Sequence, residues 1–324
     1  MPHGGMIAAA RALFPEAPEP FVDLSTGINP VAYPLGALPA EAFARLPDAA
    51  DVAALEAVAA RAYGAGDPAM VVAAPGAQIL IGVLPYLLPM AEVAVVSPTY
   101  GEYAACWAGA GHRVTEVPTL DAVGAASCVV VCNPNNPNGR RFDSAALLRV
   151  ADGLARRGGV LVVDEAFADF EGVSVMPHMP HPGVVVLRSF GKSYGLAGVR
   201  LGFAVAEPAI VARLRGALGP WAVSGVAVHV GMRALADGAW RRQTVARLDR
   251  DVARLDGLVT SVGFDVIGGT RLFRLYESDR APAVHEALGR RGILVRRFDG
   301  NRRWLRFGLP GGEAEWARLE AIRK

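Results

Sequence analysis

Between residues 93 and 205 the chain repeats one pattern, a short apolar run with almost no polar alternation followed by a longer mixed stretch. The runs are Val93 to Val96, Cys128 to Cys132, Val160 to Val163, Val184 to Leu187 and Leu201 to Val205. Uninterrupted apolar runs suit strands covered on both faces, so they predict a largely parallel α/β sheet. The stretches around them have helical spacing. Ala49 to Tyr63 places Val52, Leu55, Val58 and Ala59 on one helical side, and Asp143-Ser144 offers an N-terminal cap before Ala145 to Arg156. From about Glu207 the texture changes to Arg-rich helices, with Ala236 to Thr260 reading as one long amphipathic segment. Short strands follow around Leu272 to Tyr276, Ile293 to Arg296 and Trp304 to Gly308, with a helix near Ala281 to Arg291 between them. That ending predicts a smaller α+β lobe, with a soft boundary near residue 210.

One stretch competes with this reading. Ala69 to Ala91 carries no charge and is long enough to span a bilayer. Pro75, Gly76, Gln78, Gly82, Pro85 and Pro89 interrupt it, so it reads as a buried strand over Met70 to Ala73, a turn over Pro75 to Gln78, and a packed helix over Ile79 to Leu88. The 33 basic and 31 acidic residues nearly balance, and no Lys or Arg run forms a nucleic-acid footprint. The three cysteines, Cys106, Cys128 and Cys132, form no CxxC pair, which argues against zinc and for a reducing cytoplasm. The opening Met1-Pro2-His3-Gly4-Gly5 does not read as a signal peptide.

Candidate chemistry gathers where apolar runs end. Val160-Leu161-Val162-Val163 leads straight into Asp164-Glu165, and strand ends of a parallel sheet are where ligands bind. Two acids there suit metal ligands, a helix cap, or a partner for a cofactor's ring nitrogen. Cys132-Asn133-Pro134-Asn135-Asn136-Pro137-Asn138-Gly139 is a dense turn at another strand end, and Ser97-Pro98-Thr99-Tyr100 places an aromatic at a third. Ser189-Phe190-Gly191-Lys192 sets one lysine among glycines and hydroxyls, with Arg200 eight residues later. A lysine without charged neighbours is suited to imine formation, and an arginine nearby can hold a phosphate by paired hydrogen bonds.

In this order the motifs resemble the fold-type I pyridoxal-phosphate enzymes of the aminotransferase class I/II superfamily, over nearly the whole chain. The resemblance implies a large domain with a mostly parallel central sheet over residues 46–210, a smaller α+β C-terminal domain over 211–324, and an N-terminal arm over 1–45 that contributes to the small domain and active site. It implies that pyridoxal 5'-phosphate bonds to Lys192, that Asp164 faces the pyridine nitrogen, that Asn136 binds the phenolic oxygen and that Tyr100 stacks on the ring. Gly76, Ala77, Gln78, Ser189 and Arg200 match the phosphate ligands, and Arg306, in Trp304-Leu305-Arg306-Phe307-Gly308, matches the arginine that grips a substrate carboxylate.

Two departures stand out. Phe167 replaces the tyrosine many relatives carry after Asp-Glu-Ala, which removes one hydrogen bond to the phenolic oxygen. Arg45-Leu46-Pro47 replaces Arg-Tyr-Pro, which removes a contact to the other subunit's cofactor phosphate. Within the superfamily, His3-Gly4-Gly5, Asp23-Leu24-Ser25-Thr26-Gly27-Ile28-Asn29-Pro30 and Asp-Glu-Ala-Phe look like the threonine-phosphate decarboxylases of cobalamin biosynthesis. The implied reaction turns L-threonine O-3-phosphate into (R)-1-aminopropan-2-yl phosphate and carbon dioxide, with His3, Gly27, Asn136, Arg296 and Arg306 as the substrate-binding set. Of the C-terminal arginines, Arg296 alternates out of a strand. Trp221 suits either the pocket wall or the core. The resemblance also implies a homodimer. An aminotransferase of the histidinol-phosphate type uses the same residue set and is the alternative.

Overall fold

The computed structural model describes residues 4–323. The chain forms two compact units. The larger comprises Tyr33–Asn136 and Arg141–Ala239; the smaller comprises the chain up to Ala32, Pro137–Arg140, and the chain from Trp240 onward. The division in the second half thus falls at Ala239, beyond residue 210, because helices Pro208–Leu218 and Gly225–Ala236 bury Val211, Leu214, Val228 and Leu235 within the larger unit. The N-terminal segment likewise divides at Ala32 rather than at residue 45.

The larger unit is built on seven strands: β1 (Val71–Ala74), β2 (Glu92–Val96), β3 (Arg113–Val117), β4 (Cys128–Cys132), β5 (Val160–Asp164), β6 (Val184–Ser189) and β7 (Gly202–Val205). Their order across the sheet is β1-β7-β6-β5-β4-β2-β3. Pairings among β6, β5, β4, β2 and β3 are parallel, while β7 runs antiparallel to β1 and to β6. Strands β4 to β7 are almost wholly buried, as expected where both faces are covered. The sequence pattern misses β3, whose Arg-Val-Thr-Glu-Val is mostly exposed at the sheet edge and carries no apolar run.

The predicted helix Ala49–Tyr63 forms with those bounds. Asp48 accepts from the N–H of Ala50, Asp51 completes a capping box, and Gly64 closes the helix in the left-handed region at φ 76°. Asp143 caps helix Ser144–Ala155 through the N–H of Ala146 at 2.6 Å. The uncharged stretch resolves into β1 and helix Ala77–Leu87, which buries Leu80, Ile81 and Leu84 against the sheet. Among the described residues no helix is long and apolar enough to cross a membrane.

The smaller unit carries a five-stranded sheet in the order Val22–Leu24, Ile293–Phe298, Asn301–Phe307, Phe273–Glu277, Asp265–Thr270. The first pair is parallel and the rest antiparallel. Helix Ala281–Arg290 buries Val284 and Leu288. The expected long helix forms as one unbroken segment, Gly238–Thr260, starting two residues late because Ala236 ends the preceding helix and Asp237 leaves helical geometry.

Candidate active site

Strand direction gathers the chemistry on one edge of the large sheet. In register, Cys132 pairs with Asp164, Asp164 with Leu187, Ser189 with Gly202, and Gly202 with Ala74. The loops after β1, β2, β4, β5 and β6, and the loop entering β7, therefore leave the sheet on the same side. They carry Gly76, Ala77, Gln78, Tyr100, Asn136, Asp164, Ser189, Lys192 and Arg200, all within the larger unit. That side is the carboxyl end of the parallel strands, the ligand-binding edge of open α/β sheets.

Asp164 closes β5 and is 2% exposed. The Tyr103 hydroxyl donates to its Oδ2 at 2.7 Å, and the Ala166 N–H donates to its Oδ1 at 2.8 Å. Burial, with Asp164 and Cys132 beside it, pushes the Tyr103 phenol well above its ordinary range, so it remains a donor. The motif after β2 runs on to Tyr103 but gives it no role; the signal for one is the i, i+3 spacing from Tyr100 at a helix start, which brings the two rings to 5.6 Å, edge to face.

The adjacent Glu165 does different work. It is fully buried and pairs with Arg188 at 2.7 Å, and it accepts from the Ser174 hydroxyl and the Val175 N–H at 2.7 Å each. Arg188 reaches Asp169 at 2.8 Å and packs over the Tyr63 ring. Of the two neighbouring acids, one faces the edge and the other holds the scaffold, which removes the metal reading of the pair.

Lys192 lies in the short helix Phe190–Ser193 that begins directly after β6. Its Nζ donates to Ser189 Oγ at 3.5 Å and stands 5.0 Å from the centroid of the Phe167 ring. The aromatic face at the position of the missing tyrosine offers the ammonium a π surface and no hydrogen bond. In the asparagine-rich loop, Asn133 is bound to both backbone groups of Phe142 at 2.9 and 3.0 Å, and Asn135 donates to the Pro98 carbonyl at 2.8 Å while accepting from Thr99 at 2.7 Å. These two asparagines shape the loop around Asn136.

Gly76 initiates helix Ala77–Leu87 at φ 91°, ψ 156°, with no side chain capping it. A Cβ here would lie 2.5 Å from Arg200 Nη2, so the guanidinium lies directly over the start of the helix. Arg200 itself adopts the left-handed region at φ 56°, a strained setting for a non-glycine residue. Uncapped N–H groups, the helix dipole and an arginine together make an anion cup. Gln78 Oε1 accepts from the Tyr100 hydroxyl at 3.0 Å, tying the ring to the cup. Burial, with Glu102 next in weight, pushes the Tyr100 phenol up to about 12.

The remaining predicted residues belong to the smaller unit. Arg296 and Arg306 are register partners on adjacent strands and so share a sheet face. Burial, reinforced by Arg296 and opposed by Asp23, pulls the Arg306 guanidinium down to about 10, still cationic at neutral pH. Its side chain lies 5.0 Å from the Phe273 ring centroid. Gly27 is buried in the loop after Val22–Leu24. His3 lies outside the described residues. Trp221, in the larger unit, is 60% exposed and so fills no core.

A parallel sheet whose carboxyl edge joins a lysine, a buried aspartate and an anion cup defines a class of cofactor-dependent enzymes. The profile of aminotransferase class I and II matches residues 25–319, and the chain belongs to that family. It is 42% identical to the threonine-phosphate decarboxylase of Pseudomonas aeruginosa and 43% identical to that of a Sinorhizobium species, each over 98% of this chain and 96% of the relative. The histidinol-phosphate aminotransferase of Sinorhizobium meliloti, solved in complex with pyridoxal-5'-phosphate, shares the fold with a TM-score of 0.84 at 21% identity, covering 98% of this chain and 93% of that one.

Proposed function

We propose that this chain is a pyridoxal-phosphate-dependent decarboxylase that converts L-threonine O-3-phosphate to (R)-1-aminopropan-2-yl phosphate and carbon dioxide, a step of cobalamin biosynthesis. The observation that carries the reading is identity above 40% over nearly the full length to two threonine-phosphate decarboxylases. The residues present fit the cofactor. The close approach of Gly76 to Arg200 leaves a cradle that any side chain would fill, and the buried Asp164 is oriented by two donors.

In this reading the N–H groups of Ala77 and Gln78, with Ser189 and Arg200, hold the cofactor phosphate. Tyr100 would stack on the ring, Asn136 would donate to the phenolic oxygen, and Asp164 would keep a proton on the pyridine nitrogen. Bound pyridoxal phosphate supplies an electron sink conjugated to the substrate nitrogen. Arg306 receives the substrate carboxylate, and a partly desolvated guanidinium strengthens that pairing. Arg296, Gly27 and His3 complete the substrate set. As the Cα–carboxylate bond breaks, the electron pair left at Cα takes a proton, for which Lys192 Nζ is the donor. The departing carbon dioxide is thereby replaced by one hydrogen.

We further propose that the protein acts as a homodimer in the cytoplasm. Phe43, Leu46 and Trp221 are 70%, 66% and 60% exposed in the larger unit, an apolar set suited to burial by a second copy. Leu46 there favours apolar contact over the polar one a tyrosine makes. Cys106, Cys128 and Cys132 are all free thiols, in keeping with a reducing compartment.

The test is incubation of the holoenzyme with L-threonine O-3-phosphate, and separately with histidinol phosphate plus 2-oxoglutarate. Carbon dioxide release without a keto acid is expected, and glutamate formation in place of it would assign the protein to the aminotransferases. Lys192→Ala is expected to lose both turnover and the visible absorption band of the bound cofactor; a retained band would exclude Lys192.

A further inference from the structure

We propose that Ser25 is a positioning residue for Arg306, and that Gly4 and Gly5 clip the N-terminal segment onto it, so that the clip tunes affinity for the substrate carboxylate. The proposal rests on the reading that Arg306 receives that carboxylate. All its parts lie in the smaller unit.

Ser25 is 1% exposed, and each of its polar groups is engaged. Its N–H donates to Asp23 Oδ1 at 2.9 Å, and its carbonyl accepts from Arg306 Nη2 at 2.8 Å. The Gly5 N–H meets Ser25 Oγ at 2.8 Å, and that Oγ meets Asp23 Oδ1 at 2.5 Å. Donor directions follow from the inventory of groups. A backbone N–H only donates and a carboxylate only accepts, so the Ser25 hydroxyl accepts from Gly5 and donates its one O–H to Asp23. The result is a continuous chain from the N-terminal backbone through Ser25 to a carboxylate, with the same residue's carbonyl on Arg306.

The glycines are what let the backbone come this close. A Cβ on Gly4 would lie 2.4 Å from the Ser25 carbonyl oxygen, the atom that Arg306 holds, and Gly5 sits at φ +79°. An added methyl at Gly4 therefore pushes directly on the arginine's anchor. Asp23 acts twice, since it accepts the hydrogen bond of the Ser25 hydroxyl and its charge opposes the depression of the Arg306 guanidinium by burial and Arg296. The Arg306 guanidinium also packs against the Phe273 ring, 5.0 Å from its centroid. Paired hydrogen bonding to a carboxylate depends on the orientation of the guanidinium plane, so loosening the Ser25 anchor weakens binding without touching the bond-breaking step.

The experiment compares holoenzyme carrying Ser25→Ala, Ser25→Thr or Gly4→Ala. Ser25→Ala is expected to raise KM for L-threonine O-3-phosphate about two- to tenfold, the equivalent of one ordinary hydrogen bond, with kcat and the cofactor spectrum unchanged. Hydrogen exchange at the Gly5 amide should quicken in the same variant. Ser25→Thr retains the hydroxyl and should restore both, and Gly4→Ala should raise KM by displacing the same carbonyl. An unaltered KM in Ser25→Ala, or a Thr variant as impaired as the Ala variant, overturns the proposal. If wild type fails to turn over L-threonine O-3-phosphate, the substrate reading falls, and equal Gly5 exchange in wild type and Ser25→Ala would then overturn the clip independently.

Discussion

Replacing Gly76 by alanine tests the anion cup most directly. At φ 91°, ψ 156° the position lies outside the regions open to L residues, so Gly76→Ala costs about 1–3 kcal/mol of stability. The new methyl would also lie 2.5 Å from Arg200 Nη2 and 3.0 Å from its Cζ. Because the clash falls on the far end of a flexible side chain, the guanidinium moves and the backbone stays. On the proposed role of Arg200, that movement would remove a charge-assisted hydrogen bond to phosphate, worth about 1.5–3 kcal/mol, which corresponds to a roughly 10- to 150-fold weaker pyridoxal phosphate complex. Titration of the apoprotein followed by tryptophan fluorescence measures the dissociation constant, and urea unfolding of the same apoprotein measures the backbone cost separately. Lower stability with an unchanged dissociation constant would refute the assignment of Gly76 and Arg200 to the phosphate.

Arg188→Met leaves Glu165 and Asp169 buried without their cation, and is expected to cost about 3–5 kcal/mol in urea unfolding; a loss below about 1 kcal/mol would show that the network is not needed for stability. The phenols of Tyr100, Tyr103 and Tyr276 are all raised by burial, so the fold favours their neutral forms. Their contribution is complete below the unfolded phenol pKa of about 10 and is lost as pH climbs toward the folded values, about 12 for Tyr100. Unfolding free energy should therefore fall above about pH 10, and stability rising between about pH 10 and 11 would contradict this.

Sequence reading reaches furthest where burial is local in the chain. The apolar runs at Cys128–Cys132 and Val160–Val163 become central strands because nothing polar interrupts them, and Ala49–Tyr63 keeps its bounds because Asp48 and Gly64 cap it. It fails where burial is partial. Strand Arg113–Val117 is half polar at an edge, Val22–Leu24 has three residues, and Asp265–Thr270 includes Gly268 and Gly269, so none carries a strong period.

Part of the chemical inventory is legible for the same reason: Gly76, Tyr100, Asn136, Asp164 and Lys192 each follow an apolar run, whereas Arg200 precedes one and Arg296 and Arg306 lie within strands. Partnership is not legible. The family motif points to Asp164 rather than Glu165, but the residues that divide the two roles, Tyr103, 61 positions away, and Arg188, are not written in the pair itself. Nor does the Leu201–Val205 run reveal that its strand is antiparallel to both neighbours, which is what brings Arg200 over Gly76. Apolar periodicity and turn chemistry act within a few residues and so are written in the local sequence. Strand direction, ion pairing and hydrogen-bond partners join residues far apart in the chain, and folding alone brings them together.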